Sequence, residues 1–372
     1  MRARGVHLEY SFQSDDQHGA DVHNPLFELL SAVREHGSIQ HAAKALGASY
    51  RHVWGALKHW EGVLGEPLVS WAQGQPARLT PFAQRMVWAE ARARARLVPH
   101  IEALRVELER VLSEALDGTQ QVLALYASHD LALPLLREHA GATARLHIEL
   151  KFAGSVDALR ALAEGRCVVA GFHVPRLPVR GLFERSLKPL LKPGVHKLIG
   201  CCTRRQGLIV ARDNPQRIAT MRDLVNDGVR FVNRQSGSGT RLLTDQLLHS
   251  QGIAPESIAG YADSAEDSHL AVAAAVASGA ADAGVGIEAA AQRYRLQFVP
   301  LAEEDYFLVC LRDALDQPPV LKLREVLAGA TWRQTLQGLP GYGADRAGEV
   351  LSLTQALPWW RFRVRKRRHA GR

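Results

Sequence analysis

Apolar and polar positions follow three different rhythms along this chain. Over 97–115, Leu97, Ile101, Leu104, Leu108, Val111 and Ala115 recur at intervals of four and three. That spacing puts an apolar stripe on one helix face, with Glu102, Arg105, Glu107, Glu109 and Arg110 on the others. The stretch 83–116 contains no Gly and a single Pro, Pro99, which starts or kinks the helix. A helix packed on its own domain and a dimer helix both satisfy this pattern, and the length of the stripe favours the dimer.

Ahead of it the rhythm is that of short helices punctuated by Gly and Ser. Leu26, Leu29, Leu30 and Val33 form one stripe. Gly37 ends it and Ser38 caps a second helix that buries Ala42, Ala43 and Leu46. Gly47 makes a tight turn, and Ser49 caps a third helix with Val53, Leu57 and Trp60 or Leu64 inward. Two helices about a short Gly-containing turn predict a helix-turn-helix, whose second helix enters the major groove. Segments 65–69 and 77–81 read as a two-stranded wing. The candidate DNA contacts are Ser38, Gln40, Ser49, Tyr50, Arg51, His52, Trp54 and Lys58. Tyr50 and Trp54 would serve equally as packing residues.

After 120, apolar runs at 122–128, 145–152, 167–174, 208–212, 229–234, 283–287 and 307–312 alternate with amphipathic stretches. Strand–helix alternation predicts a mainly parallel sheet with crossover helices, and the length suits two lobes. One strand leads into Gln235-Ser236-Gly237-Ser238-Gly239-Thr240-Arg241 and then a helix. Free N–H groups at a helix start, hydroxyls and an Arg favour an anion. Two further strand ends carry Ser128-His129-Asp130 and Gly154-Ser155. Ligands collect at such carboxyl ends in open α/β sheets. Ser128, His129 and Asp130 are adjacent, so they do not face one another as a triad, and no GxSxG elbow occurs. No catalytic residue is assigned, and the chain is read as a non-enzyme.

Composition narrows the class. The 372 residues carry 46 Lys and Arg against 38 Asp and Glu, a net +8, which permits an acidic partner. Apolar residues at 47% and charged residues at 23% exclude global disorder. No apolar run approaches the ~18 residues that cross a bilayer, and the first residues lack an apolar signal core, so a cytoplasmic protein without a membrane partner is expected. The 4 Cys, two of them adjacent at Cys201 and Cys202, form no CxxC pair, and the 16 His are scattered. A disulfide scaffold and a zinc module are excluded, and no metal ligand is assigned. Cys201-Cys202 leaves an oxidation switch open. The basic run 361–372 suits DNA phosphates or a solvated tail.

The stretches GSIQHAAKALGASYRHVW, GEPLV and ARLTPFAQRM resemble the winged helix of ModE-type and, more distantly, LysR-type regulators across about residues 22–90. The stretches QGLIVARDNP, FVNRQSGSGTRLLTDQLL, AAVASGAADAGVGIEAAA, DYFLVCLRD and LPGYGADRAGEV resemble the periplasmic-binding-protein-like domain across about 120–360. The resemblance implies a multidomain chain. A winged helix-turn-helix occupies 1–82 and a linker helix 83–117. An α/β two-lobed type II domain occupies 118–360, followed by the tail. It further implies molybdate or tungstate as effector, with no cofactor. Ser128, His129, Gly154 and Ser155 would serve one lobe. Asn233, Ser236, Gly237, Ser238, Gly239, Thr240 and Arg241 would serve the other, with Tyr306 as a further donor. The expected protein is a homodimeric or homotetrameric transcription regulator that binds a double-stranded operator and responds to a small oxyanion. The alternatives are a molybdenum-cofactor-related binding protein or enzyme, and a LysR-type regulator of an organic effector. The carboxylate of Asp130 leaves room for a larger or mixed-charge ligand.

Overall fold

The computed structural model describes residues 25–70, 76–116, 121–178, 181–263 and 265–360. The predicted tail at 361–372 and the tip of the wing lie outside them. The chain divides into two units, Met1–Glu102 and Ala103–Arg372.

In the first unit, α1 (Pro25–His36), α2 (Ile39–Ala45) and α3 (Tyr50–Leu64) surround Leu30, Val33, Ala42, Ala43, Val53 and Leu57. Ser38 Oγ accepts from the His41 N–H, and Ser49 Oγ accepts from the His52 N–H at 3.1 Å, so both predicted caps form. A small wing, β1 (Val69–Ser70) against β2 (Arg78–Leu79), closes the core with Leu68 and Leu79. Glu61 Oε1 accepts from the N–H of Leu68 at 2.9 Å, tying wing to helix. Leu46, expected inside, is exposed: it stands at the C-cap of α2, where the chain turns outward. α4 (Pro81–Leu116) begins with Ala83 and Val87 in this core and continues helical through Pro99. Of its stripe, Leu97 and Ile101 are half-buried and Leu104 is exposed; the side chains of Leu108, Val111 and Ala115 lie outside the described residues.

The second unit alternates β3 (Gln121–Ala127), α5 (Ala132–Ala144), β4 (Leu146–Phe152), α6 (Ser155–Ala163), β5 (Val169–Pro175) and α7 (Gly181–Leu187). β6 (His196–Val210) leads to β7 (Phe231–Arg234), α8 (Gly239–Gln251), β8 (Ala265–Glu266), α9 (His269–Ala277), β9 (Ala283–Ile287) and α10 (Glu288–Arg293). β10 (Gln297–Leu311) returns to α11 (Pro318–Ala328), α12 (Ala330–Gln337), β11 (Tyr342–Gly343), β12 (Val350–Ser352) and α13 (Leu353–Ala356). The sheet order is β4-β3-β5-β10-β6-β9-β7-β8, with β11 and β12 on β6.

β4, β3 and β5 run parallel, as do β9, β7 and β8. The two parallel sets are the two lobes. β10 runs antiparallel to both β5 and β6, and β6 antiparallel to β9, so these two 15-residue strands cross from one lobe to the other. This corrects the expectation at 208–212 and 307–312, which are only the ends of the crossing strands. Their middles, Thr203-Arg204-Arg205-Gln206 and Glu303-Glu304-Asp305, are polar and read as loop. Arg204 and Gln206 are buried there and both bond the buried carboxylate of Glu304 on the opposite strand.

Candidate functional site

On the first unit, α3 presents Tyr50, Arg51 and His52 exposed beside the Ser49 cap. Tyr50 stacks on Trp54 at 6.3 Å. Lys58 Nζ lies 5.0 Å above the Trp54 ring and 2.7 Å from Glu61 Oε2, so its charge is partly spent within the helix. Gln40 is exposed on α2 and Ser38 is half-buried at its cap. Trp54 is half-buried against the core, which makes it chiefly a packing residue.

On the second unit, the lobes meet through α6 and α8. Gly154 caps α6, and a Cβ placed there would stand 2.5 Å from the carbonyl oxygen of Gly237, itself at φ +85°. A side chain at Gly154 would block this approach, whereas Gly237 is glycine for its left-handed backbone, a Cβ there meeting nothing closer than Asp157 Oδ2 at 3.7 Å. Gly239 opens α8 beside Ser155; a Cβ on it would lie 3.2 Å from Ser155 Oγ. Two helix N-termini from opposite lobes therefore converge on one place. Ser155 Oγ is buried there without a hydrogen-bond partner.

Behind these ends lies a continuous buried polar network. Thr240 Oγ1 accepts from Gln206 Nε2 at 2.9 Å, and the same amide donates to Glu304 Oε2 at 3.0 Å. Arg204 donates from Nε to Glu304 Oε2 at 3.0 Å and from Nη1 to Asp130 Oδ2 at 2.5 Å. Tyr342 Oη donates to Asp130 Oδ2 at 3.0 Å. His173 Nε2 stands 3.8 Å from Asp130 Oδ2, and its Nδ1 lies 2.9 Å from Ser128 Oγ. With the Nε2 proton turned to that carboxylate, Nδ1 accepts from the Ser128 hydroxyl, which then faces the cleft with lone pairs. Burial pushes Asp130 up, but Arg204, His173 and the Ala132 N–H together hold it well below the usual carboxylate range.

The strongest unspent donor is Arg234, at the end of β7. It is 4% exposed, and only Nη2 is bonded, to the Asp267 carbonyl at 2.8 Å; Nε and Nη1 have no partner. Burial and the neighbouring Arg204 bring it down to about 10, so it remains a cation. His129, half-buried, and His269, buried, flank it, and both are held neutral. Burial, then Arg234, lowers each, His129 to about 4.

The structure thus brings Ser128, His129, Gly154, Ser155, Ser238, Gly239 and Thr240 of the expected ligand set together. It turns others away. The Arg241 guanidinium bonds Asp245 at 3.0 Å and lies 4.3 Å over Tyr261. Asn233 bonds the Tyr261 carbonyl and the Arg234 N–H. Tyr306 stacks on His173 at 4.0 Å, its hydroxyl 3.5 Å from the Ser128 carbonyl. Ser236 and Gly237 sit on the exposed turn. Ser238 is buried at the start of α8, its hydroxyl serving as the helix cap and its N–H bonded to the Gln235 carbonyl. Arg241, Asn233 and Tyr306 thus have some of their polar atoms engaged inside the protein. Sequence reasoning missed Arg204, Gln206, Arg234, His173, His269 and Glu304. The available signal was charge inside apolar strands, as in CCTRRQGLIV and FVNR. Among the described residues no cluster of His, Cys, Asp and Glu could hold a metal ion, and no helix is long and apolar enough to cross a membrane.

Comparison with known proteins follows these boundaries. Residues 26–84 match the bacterial regulatory helix-turn-helix protein, lysR family, and residues 136–328 match the PBP superfamily domain. The uncharacterized protein YvgK of Bacillus subtilis is 30% identical over 235 residues, 63% of this chain and 75% of its own. The molybdenum-pterin-binding protein MopB of Rhodobacter capsulatus is 27% identical over 215 residues, 50% of this chain and 77% of its own. The solved structure of full-length LTTR LysG from Corynebacterium glutamicum with bound effector Arg aligns with a TM-score of 0.39 at 18% identity, over 82% of this chain and 96% of its own.

Proposed function

We propose, for a chain that belongs to the PBP superfamily and carries a lysR-family helix-turn-helix unit, that a small anion bound between its lobes sets its grip on DNA. The two matched domains together make a ligand-responsive, DNA-binding transcription regulator; the effector is what is inferred. One observation carries it. Arg234, at the end of the strand that leads into α8, is a buried cation whose Nε and Nη1 have no partner, and Ser155 at the convergent N-termini of α6 and α8 has an unpartnered hydroxyl. Molybdate and tungstate, the effectors implied by resemblance, are compact enough to be shared by these donors. A homodimer or homotetramer on a two-fold operator is proposed with it, and an effector that favours one lobe arrangement shifts DNA affinity by its differential binding.

A small organic acid is the second reading. Gln206 Oε1 and Glu304 Oε1 are buried acceptors without partners, and a ligand carrying an N–H or O–H donor would fill them. Calorimetric titration of the full chain with molybdate, tungstate, sulfate and a panel of small carboxylic acids separates these. Binding of molybdate or tungstate but not the acids supports the first reading, and the converse the second. Arg234→Gln abolishes binding in either case, and retention of full affinity by that variant would overturn the site.

A further inference from the structure

We infer that this site takes up its anion together with a proton, which comes to rest on the imidazole cluster of His129, His173 and His269. The inference rests on the anion reading above and deepens it.

The cluster is built from three separate elements. His129 follows β3, His173 lies in β5 and His269 opens α9. His173 and His269 are buried and His129 is half-buried, and each has one buried ring nitrogen without a hydrogen-bond partner: Nδ1 of His129, Nε2 of His173 and Nδ1 of His269. Nε2 of His269 stands 3.4 Å from Arg204 Nη1, a group that can only donate, so the neutral ring carries its proton on Nδ1. A second proton on that ring is disfavoured first by burial, then by Arg234 and Arg204, and by the positive end of α9.

The surrounding charges decide what an anion would meet. β6 contributes Arg204 and β7 contributes Arg234. Asp130 faces them from the start of α5, Glu304 from β10, and Glu266 and Asp267 from β8 and the turn after it. α10 contributes Glu288, which pairs with Arg205 at 2.7 Å, and β9 has no charged residue. Beside His129 the β4 neighbour is Phe152, at 4.7 Å between ring centres. The two guanidinium groups therefore already face four carboxylates. A further buried negative charge needs a new positive one. The imidazoles are the groups there able to supply it. Burial first, and then the nearby cations, hold them neutral, and an anion among them offsets the cations' share of that bias.

The anion enters, one ring nitrogen binds a proton, and the buffer acid that supplied it becomes its base, so charge balances. Molybdate and sulfate carry no titratable proton near neutrality, so any proton taken up lands on the protein. The test is titration of the full chain with each, in buffers of different ionisation heat. Uptake of about one proton is expected, with affinity rising about tenfold per unit fall in pH. Equal heats in every buffer from an anion that binds would overturn the proton, and leave the anion reading standing. Absence of binding by any anion, from titrations in more than one buffer, would overturn both. In His269→Asn and His129→Asn the proton count should fall; a purely structural role would lower affinity and leave the count unchanged.

Discussion

Arg204 Nη1 donates to Asp130 Oδ2 across 2.5 Å, joining a strand that crosses both lobes to the start of the first lobe's α5. Both side chains are at most 1% exposed. Asp130→Ala would leave the guanidinium buried with Glu304 as its remaining carboxylate partner. A loss of about 3–5 kcal/mol is expected, because a buried charge without its partner keeps its desolvation cost. Urea unfolding measures it, and a loss below about 1 kcal/mol would show that the pair is not a structural tie. The carboxyl is held below its unfolded value, so its contribution is complete above about pH 4 and fades as pH falls toward the folded value.

His129 gives the opposite chemistry and a different pH window. Its folded value near 4 lies below an unfolded value of 6.5, so the unfolded chain binds more protons between the two. Stability from this group is complete above pH 6.5 and is lost as pH falls toward 4, by about 3 kcal/mol in all. His129→Gln should flatten the curve of unfolding free energy against pH over that window. An unchanged slope would place the acid sensitivity elsewhere.

How far the sequence could be read follows from where its signals are local. Caps at Ser38 and Ser49, the turn at Gly47 and the strand–turn–helix at 231–251 depend on neighbours in the chain, and each formed as read. The crossing strands depend on partners a hundred residues apart: Arg204 with Glu304, and Gln206 with the same carboxylate. A polar stretch such as TRRQ looks like loop until a buried carboxylate stands opposite it. The candidate ligand residues depend on such distant partners too. Arg241 follows the glycine loop and suggests an anion, yet Asp245, one turn later on the helix, captures it. Arg234 precedes the loop in an apolar strand, and its open donors are visible only in three dimensions.

Gly154→Ala tests the approach of the two lobes. The backbone at Gly154 has φ −59°, which alanine adopts freely, so the effect comes from the Gly237 carbonyl alone. A methyl group 2.5 Å from that oxygen forces the two loops apart. The expected cost is about 1–3 kcal/mol, falling on the closed arrangement, or roughly a tenfold loss of anion affinity. Calorimetry reads the affinity and small-angle scattering the lobe separation. Full affinity in the variant would mean that ligand binds without this approach.

If α3 is the helix that enters the groove, Arg51 and Lys58 should behave differently although both are cations on it. The hydrogen bond of Lys58 to Glu61 already offsets its charge, whereas Arg51 is exposed at the start of the helix. The proposed role of that guanidinium is to neutralise a phosphate. Arg51→Ala should therefore weaken binding to a duplex selected from random sequences by the full chain. It should also reduce the slope of log affinity against log salt by about 1. Lys58→Ala should change that slope by less. Equal slopes for the wild type and Arg51→Ala would show that the guanidinium neutralises no phosphate. A larger effect at Lys58 than at Arg51 would mean that Glu61 releases the ammonium on DNA and that the later part of α3 grips the backbone. Filter-binding titrations at four or more salt concentrations distinguish these outcomes.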